Sequence, residues 1–352
     1  MSIYEKLREK MNSCQPFPVP ATESKVELDI LRSIITEEEA EIALNLSGLP
    51  EDIPTISERA GIEPEKLKPV LDSLTDKGAI FKVYGDNPLY SLTGMIIGIF
   101  EFQVGTLTAE KAKLFEKYYA EKLGEAIFSN DETQVTRVLP VNKSITPELE
   151  IFTHEEVNRL IDDAESVAIA DCICRKSKNM LNEGCKAPVK DICLLLNSMG
   201  DHYANKGIGR AATKNEAKEV IRRAEEAGLI HNTLNSKTGQ LFICNCCSCC
   251  CALLRGISEL NIPGAVVKSN FMPVVSADDC SGCEECVDSC QMKAIEVVDS
   301  LAVISDERCL GCGICVSKCS LGAISLKRRE ESLTPPETLQ ELMGKYAGGR
   351  RM

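Results

Sequence analysis

The spacing of its cysteines constrains this chain more than any other feature. Cys280-x-x-Cys283-x-x-Cys286-x-x-x-Cys290 recurs 29 residues later as Cys309-x-x-Cys312-x-x-Cys315-x-x-x-Cys319, and an Ala-Ile pair follows each run, Ala294-Ile295 and Ala323-Ile324. Three thiolates at spacing three on one tight loop cap three irons of a single cube. The fourth ligand comes from outside that loop, because the chain cannot turn sharply enough to supply it. Zinc sites or plain reduced thiols are the competing reading, and eight cysteines in this register weigh against both.

The two runs resemble bacterial two-cluster ferredoxins, in which the fourth cysteine of each run ligates the other run's cluster. The resemblance implies two 4Fe–4S clusters in a ferredoxin-like module. One cluster takes Cys280, Cys283, Cys286 and Cys319, and the other takes Cys309, Cys312, Cys315 and Cys290. The chain departs from the ferredoxin pattern where a proline normally follows the fourth cysteine, having Gln291 and Ser320 there. That implies a changed turn, not a lost cluster. Gly282, Gly311 and Gly313 inside the runs let backbone N–H groups approach the sulfurs.

Of the nineteen cysteines, all but Cys14 lie between Cys172 and Cys319. Cys14 reads as incidental. Ten of the others fall in a middle region: Cys172, Cys174, Cys185 and Cys193, then the run Cys244-Asn-Cys-Cys-Ser-Cys-Cys-Cys251. Thiolates this dense repel one another unless cations compensate them. Neither group has the paired C-x-x-C knuckles of zinc sites, so further iron–sulfur chemistry is expected there, ahead of zinc and of a redox dithiol. The preferred ligands are Cys172, Cys174, Cys185 and Cys193 from the first group and Cys246, Cys247, Cys249 and Cys250 from the second.

Before the cysteines, helical spacing of apolar residues runs from Lys25 to Gly48, with Thr36 and Glu39 as a capping box. A short helix from Thr55 to Gly61 and a longer one over Glu63–Lys77 follow, then a hairpin of Ala79–Tyr84 and Leu89–Leu92. This order resembles a winged helix-turn-helix domain over roughly Lys25 to Thr93. Residues 1–150 hold 16 Lys and Arg against 26 Asp and Glu, whereas a helix that reads DNA needs a basic face. A platform for protein contacts is the favoured role, and DNA binding is disfavoured. The winged-helix start, the C-x-C-R and N-C-C-x-C-C motifs and the double ferredoxin run together look like multi-cluster iron–sulfur proteins of anaerobes.

The expected fold class is α+β and multidomain. Residues 1–128 form the winged-helix-like domain, 129–147 a linker, 148–275 a Cys-rich α/β middle domain, 276–327 the two-cluster ferredoxin domain and 328–352 a polar tail with a short helix. In the middle domain, Val167–Ala170 reads as a strand, Asp191–Met199 as a short helix, and Thr213 with Glu216 as a capping box that opens a helix ending at Gly228. His154, His202 and His231 read as caps or surface residues, and Gly207-Ile-Gly209-Arg210 as a turn. Walker loops, haem attachment motifs and a GxGxxG after a strand are missing from the sequence.

No apolar run approaches the ~20 residues a bilayer-spanning helix needs. The charged Met1–Lys10 start is unlike a secretory leader, so a cytoplasmic location with reduced thiols is expected. The formal net charge of −13 suits an acidic electron carrier that docks on the basic patch of a protein redox partner. Three functions fit these readings. The first is an electron-transfer protein or oxidoreductase subunit; the second is a reductase or activating enzyme with an open cluster or thiolate site in the middle domain. The third is a redox-sensing DNA-binding regulator.

Overall fold

The computed structural model describes residues 1–349 except 131 and 148, so the expected start of the middle domain at residue 148 and the last residues of the tail lie outside the described residues. The chain divides into two compact units that exchange segments: residues 1–129, 170–185 and 201–210 make the first, and 130–169, 186–200 and 211–352 the second.

The first unit is mostly helical. The Thr36 side chain and Glu39 form the expected capping box on helix Glu37–Ala43, satisfying two backbone donors that a helix start leaves unpaired. Strand β1 (Glu51–Asp52) leads into helix Ile53–Ala60, which starts two residues before the expected Thr55 because the Asp52 carboxylate accepts from the Thr55 N–H at 3.0 Å. Helix Pro64–Asp76 buries Leu67, Leu71 and Leu74 on one face. Strands β2 (Ile80–Val83) and β3 (Leu89–Leu92) form the expected hairpin, and β1 joins it in the order β1-β3-β2. His202, expected at a surface, is fully buried among the rings of Phe81 and Phe102, and burial lowers its pKa to about 4.

The second unit is organised on a six-stranded sheet in the order β4-β8-β9-β6-β5-β7, where β4 is Thr136–Leu139, β5 Val167–Ala170, β6 Cys193–Leu196, β7 Arg210–Ala211, β8 Ile230–Leu234 and β9 Phe242–Cys246. Three features differ from expectation. The stretch read as a linker contains β4, all four residues of which are buried, paired with β8. The segment read as a short helix is β6, followed by helix Asn197–Lys206. A four-residue apolar run carries no decisive period, and pairing with β9 settles it as a strand. His231, also expected at a surface, is fully buried in β8, where its Nδ1 lies 2.6 Å from Asn245 Oδ1.

The ferredoxin-like module completes this unit. Strand β10 (Phe271–Val275) pairs antiparallel with β13 (Ile324–Arg328), and β11 (Ile295–Val298) with β12 (Leu301–Ile304). Two matching short helices, Glu285–Ser289 and Ile314–Lys318, each begin one residue before the third cysteine of a run and carry it, Cys286 in one and Cys315 in the other. The internal repeat of the sequence is therefore a repeat of cysteine loop, helix and strand.

Candidate metal centres

Each cysteine loop is held by glycines at positive φ. Gly311 has φ +69°, and a Cβ there would lie 2.0 Å from the Phe271 carbonyl oxygen; at Gly313, with φ +74°, it would lie 2.3 Å from Ser144 Oγ. Both positions need a residue without a side chain. The loops are also tied down by backbone bonds, Val141 N–H to the Cys312 carbonyl at 2.9 Å and Ser269 N–H to Leu310 at 3.0 Å.

Cys290, Cys309, Cys312 and Cys315 line one cavity, together with Pro273 and Ile314. These are the four thiols that the ferredoxin pattern assigns to one cluster, three from one run and the fourth from the other. Burial pushes the Cys312 thiol up to about 12, with Cys309 and Cys290 adding repulsion. Burial also raises Cys315, and Cys312, Cys309 and Cys290 add to the effect. Thiols so placed ionise only where a cation compensates them. Backbone donors point at the sulfurs, Gly311 N–H to Cys309 Sγ at 3.4 Å and Ala294 N–H to Cys290 Sγ at 3.3 Å. Donor type, enclosure and amide dipoles all fit an iron–sulfur cluster.

The second set is more open. Cys286 is buried and Cys283 exposed, with Cys280 and Cys319 in between. Cys286 packs in a buried group that Cys280 and Cys319 border, and the charges of Cys280 and Cys283 bear on its thiol. The acidic residues that flank Cys283 in the chain, Asp278, Asp279, Glu284, Glu285 and Asp288, are all exposed.

The dense run sorts its cysteines into two groups. Cys247, Cys249 and Cys250 have their Sγ atoms within 4.8 Å of one another, close enough to share an ion. Cys246, grouped with them on sequence, instead has its Sγ 3.2 Å from that of Cys251. The strand explains the split, since β9 ends at Cys246 and Cys247 begins the turn beyond it. Cys193 starts β6 in this unit, whereas Cys172, Cys174 and Cys185 belong to the first unit, Cys172 preceding helix Ile173–Met180. Cys244 and Cys251 were not among the preferred ligands; the alternation of Cys244 and Cys246 on one strand face was the sequence signal for the first of them.

The middle and C-terminal cysteines share one core. Cys246 and Cys251 belong to the same buried group as Cys309, Leu310 and Ile314, and Cys244, Cys290 and Cys312 pack against it.

Residues 279–323 match the family described as 4Fe-4S dicluster domain. The match spans all eight cysteines of the two runs and a small part of the chain. No curated protein matches the chain. The C-terminal module is thus a ferredoxin-like iron–sulfur domain. No helix among the described residues is long and apolar enough to cross a membrane.

Proposed function

We propose that this protein carries electrons through two 4Fe–4S clusters, held by Cys280, Cys283, Cys286 and Cys319 and by Cys309, Cys312, Cys315 and Cys290, and through further metal bound in the middle region. The observation that carries this reading is the shared buried core, in which ligands expected for one ferredoxin cluster pack against Cys244, Cys246 and Cys251. Such a core supplies a short, water-poor path between centres. The other end of the path is the exposed Cys283 with its acidic rim, which favours a protein redox partner presenting a basic face. Cys172, Cys174 and Cys185 are proposed as further thiolate donors. Low-potential clusters of this kind suit an anaerobic, cytoplasmic setting.

The first unit we read as a winged helix used for protein contact. Its helix Pro64–Asp76 matches the reading position of that fold, but most basic groups on and beside it are engaged: Lys68 and Lys82 both pair with Asp72, at 2.6 and 2.7 Å, and Lys77 pairs with Glu39 at 2.6 Å. Few remain to neutralise phosphates.

The decisive experiment is iron and acid-labile sulfide per chain after anaerobic purification, with electron paramagnetic resonance of the reduced protein. About eight irons with paired cluster signals are expected from the C-terminal module alone, and Cys312→Ser is expected to remove about half of them. Iron well below eight, with no cluster signal on reduction, would overturn the reading.

A further inference from the structure

Strand β9 places Cys244 and Cys246 on one face, two residues apart. Leu194 of β6 faces Ile243 of β9, so one step further along the register brings Cys193 opposite Cys244. The Cys193 side chain therefore stands beside that of Cys244 on the same face of the sheet, and Cys251 Sγ lies 3.2 Å from Cys246 Sγ. A row of neighbouring thiols thus passes from β6 across β9 to the residue that opens helix Ala252–Ser258. Cys246 and Cys251 are buried, and Cys193 and Cys244 half-buried.

A second observation points to a ligand in the same place. Asn232 of β8 is directly across from Cys244, is fully buried, and neither its amide nitrogen nor its amide oxygen has a hydrogen-bond partner. A buried amide left unpaired costs roughly 1–3 kcal/mol and calls for an unseen group to satisfy it. An N–H donor beside a metal-bound thiolate is satisfied by the sulfur.

We propose that Cys193, Cys244, Cys246 and Cys251 are the ligands of one metal centre, a tetrathiolate site for iron or zinc, separate from the two ferredoxin clusters. A tetrahedral ion with metal–sulfur bonds of ~2.3 Å sets its sulfurs about 3.8 Å apart, so the Cys246–Cys251 pair needs only a small opening to accept one. The centre would sit against Cys290, Cys309 and Cys312 in their common core. The proposal deepens the reading of the middle cysteines as metal ligands and does not depend on electron transfer.

The test is anomalous diffraction from crystals of the whole protein, purified anaerobically, with data on both sides of the iron and zinc absorption edges. A peak enclosed by the four Sγ atoms at either edge is the expected result, and the edge identifies the metal. No peak there, or a Cys246–Cys251 disulfide, overturns the proposal; peaks at the two ferredoxin sites in the same map would leave the proposed function standing. In solution, Cys251→Ala is expected to lower iron or zinc per chain by this one centre while the ferredoxin signal on reduction persists, and Cys14→Ala, outside every group, is expected to lower neither. A Cys251→Ala protein with intact ferredoxin signal and unchanged metal content would also overturn it.

Discussion

Gln291 Oε1 accepts a hydrogen bond from the backbone N–H of Ser248 at 2.8 Å, and its amide nitrogen donates to the carbonyl of Gly228. Gln291 follows the fourth cysteine of the first run, where ferredoxins carry proline, and Ser248 lies inside the dense cysteine run. The departure from the ferredoxin pattern is thus a clamp that fastens the C-terminal module to the loop bearing Cys247 and Cys249. Gln291→Ala removes both bonds and leaves the partly buried Ser248 N–H unpaired. It is expected to lower stability by about 1–2 kcal/mol with ferredoxin iron retained. Denaturant unfolding followed by cluster absorbance checks this; an unchanged midpoint would show the clamp to be dispensable.

Gly311 tests how tightly the buried cluster loop is held. Alanine there takes an unfavourable positive φ, costing about 1–2 kcal/mol, and drives a methyl group into the Phe271 carbonyl, which is backbone in β10 and cannot swing aside. Gly311→Ala is expected to lose the irons of the Cys309, Cys312, Cys315 and Cys290 set. Gly322, also at positive φ but with open space around its Cβ position, serves as the control, and Gly322→Ala should keep them. Iron per chain reads both; equal iron in the two variants would sink the argument.

What the sequence disclosed follows from how local each signal is. The two ferredoxin runs are strict repeats, and the four-thiol set around Cys312 could be written down because the crossed ligation comes with the resemblance. The capping boxes at Thr36 and Thr213 were legible because they rest on side chains three residues apart. The pairing of Cys193 with Cys244 was not, because it depends on β6 being a strand and on its register against β9, a contact fifty residues away in the chain. Strand β8 was equally hidden. Its His231 reads as a cap or surface residue, and what allows it inside is the bond to Asn245, which exists only once β8 pairs with β9.

The acidic rim around Cys283 makes a prediction that needs no identified partner. A cationic metal-ammine oxidant should take electrons from the reduced protein faster than an anionic cyanometallate of similar driving force, and the gap should narrow as salt rises, since screening sets in over ~10 Å at 0.1 M. The double variant Asp279→Lys, Glu284→Lys is expected to slow the cationic oxidant several-fold at low salt. Stopped-flow bleaching of cluster absorbance measures this. Rates indifferent to charge and salt would move the exit point away from Cys283.

Glu101 of the first unit gives a prediction in pH. Its Oε2 accepts from the Gly98 N–H at 2.8 Å, yet burial outweighs that bond and pushes the carboxyl up from its usual value to about 7. The folded chain therefore keeps this proton to about pH 7, whereas the unfolded chain releases it near pH 4.5. Between those values the folded state binds more protons, so the wild-type protein loses stability as pH rises through this window and loses no more from this group above it. Glu101→Gln keeps an acceptor for Gly98 and has no proton to lose. Its advantage over the wild type is expected to grow by about 2 kcal/mol between pH 5.5 and pH 8, read as a widening difference in denaturation midpoint; a gap that stays constant over that range would mean Glu101 is ionised in the folded protein throughout.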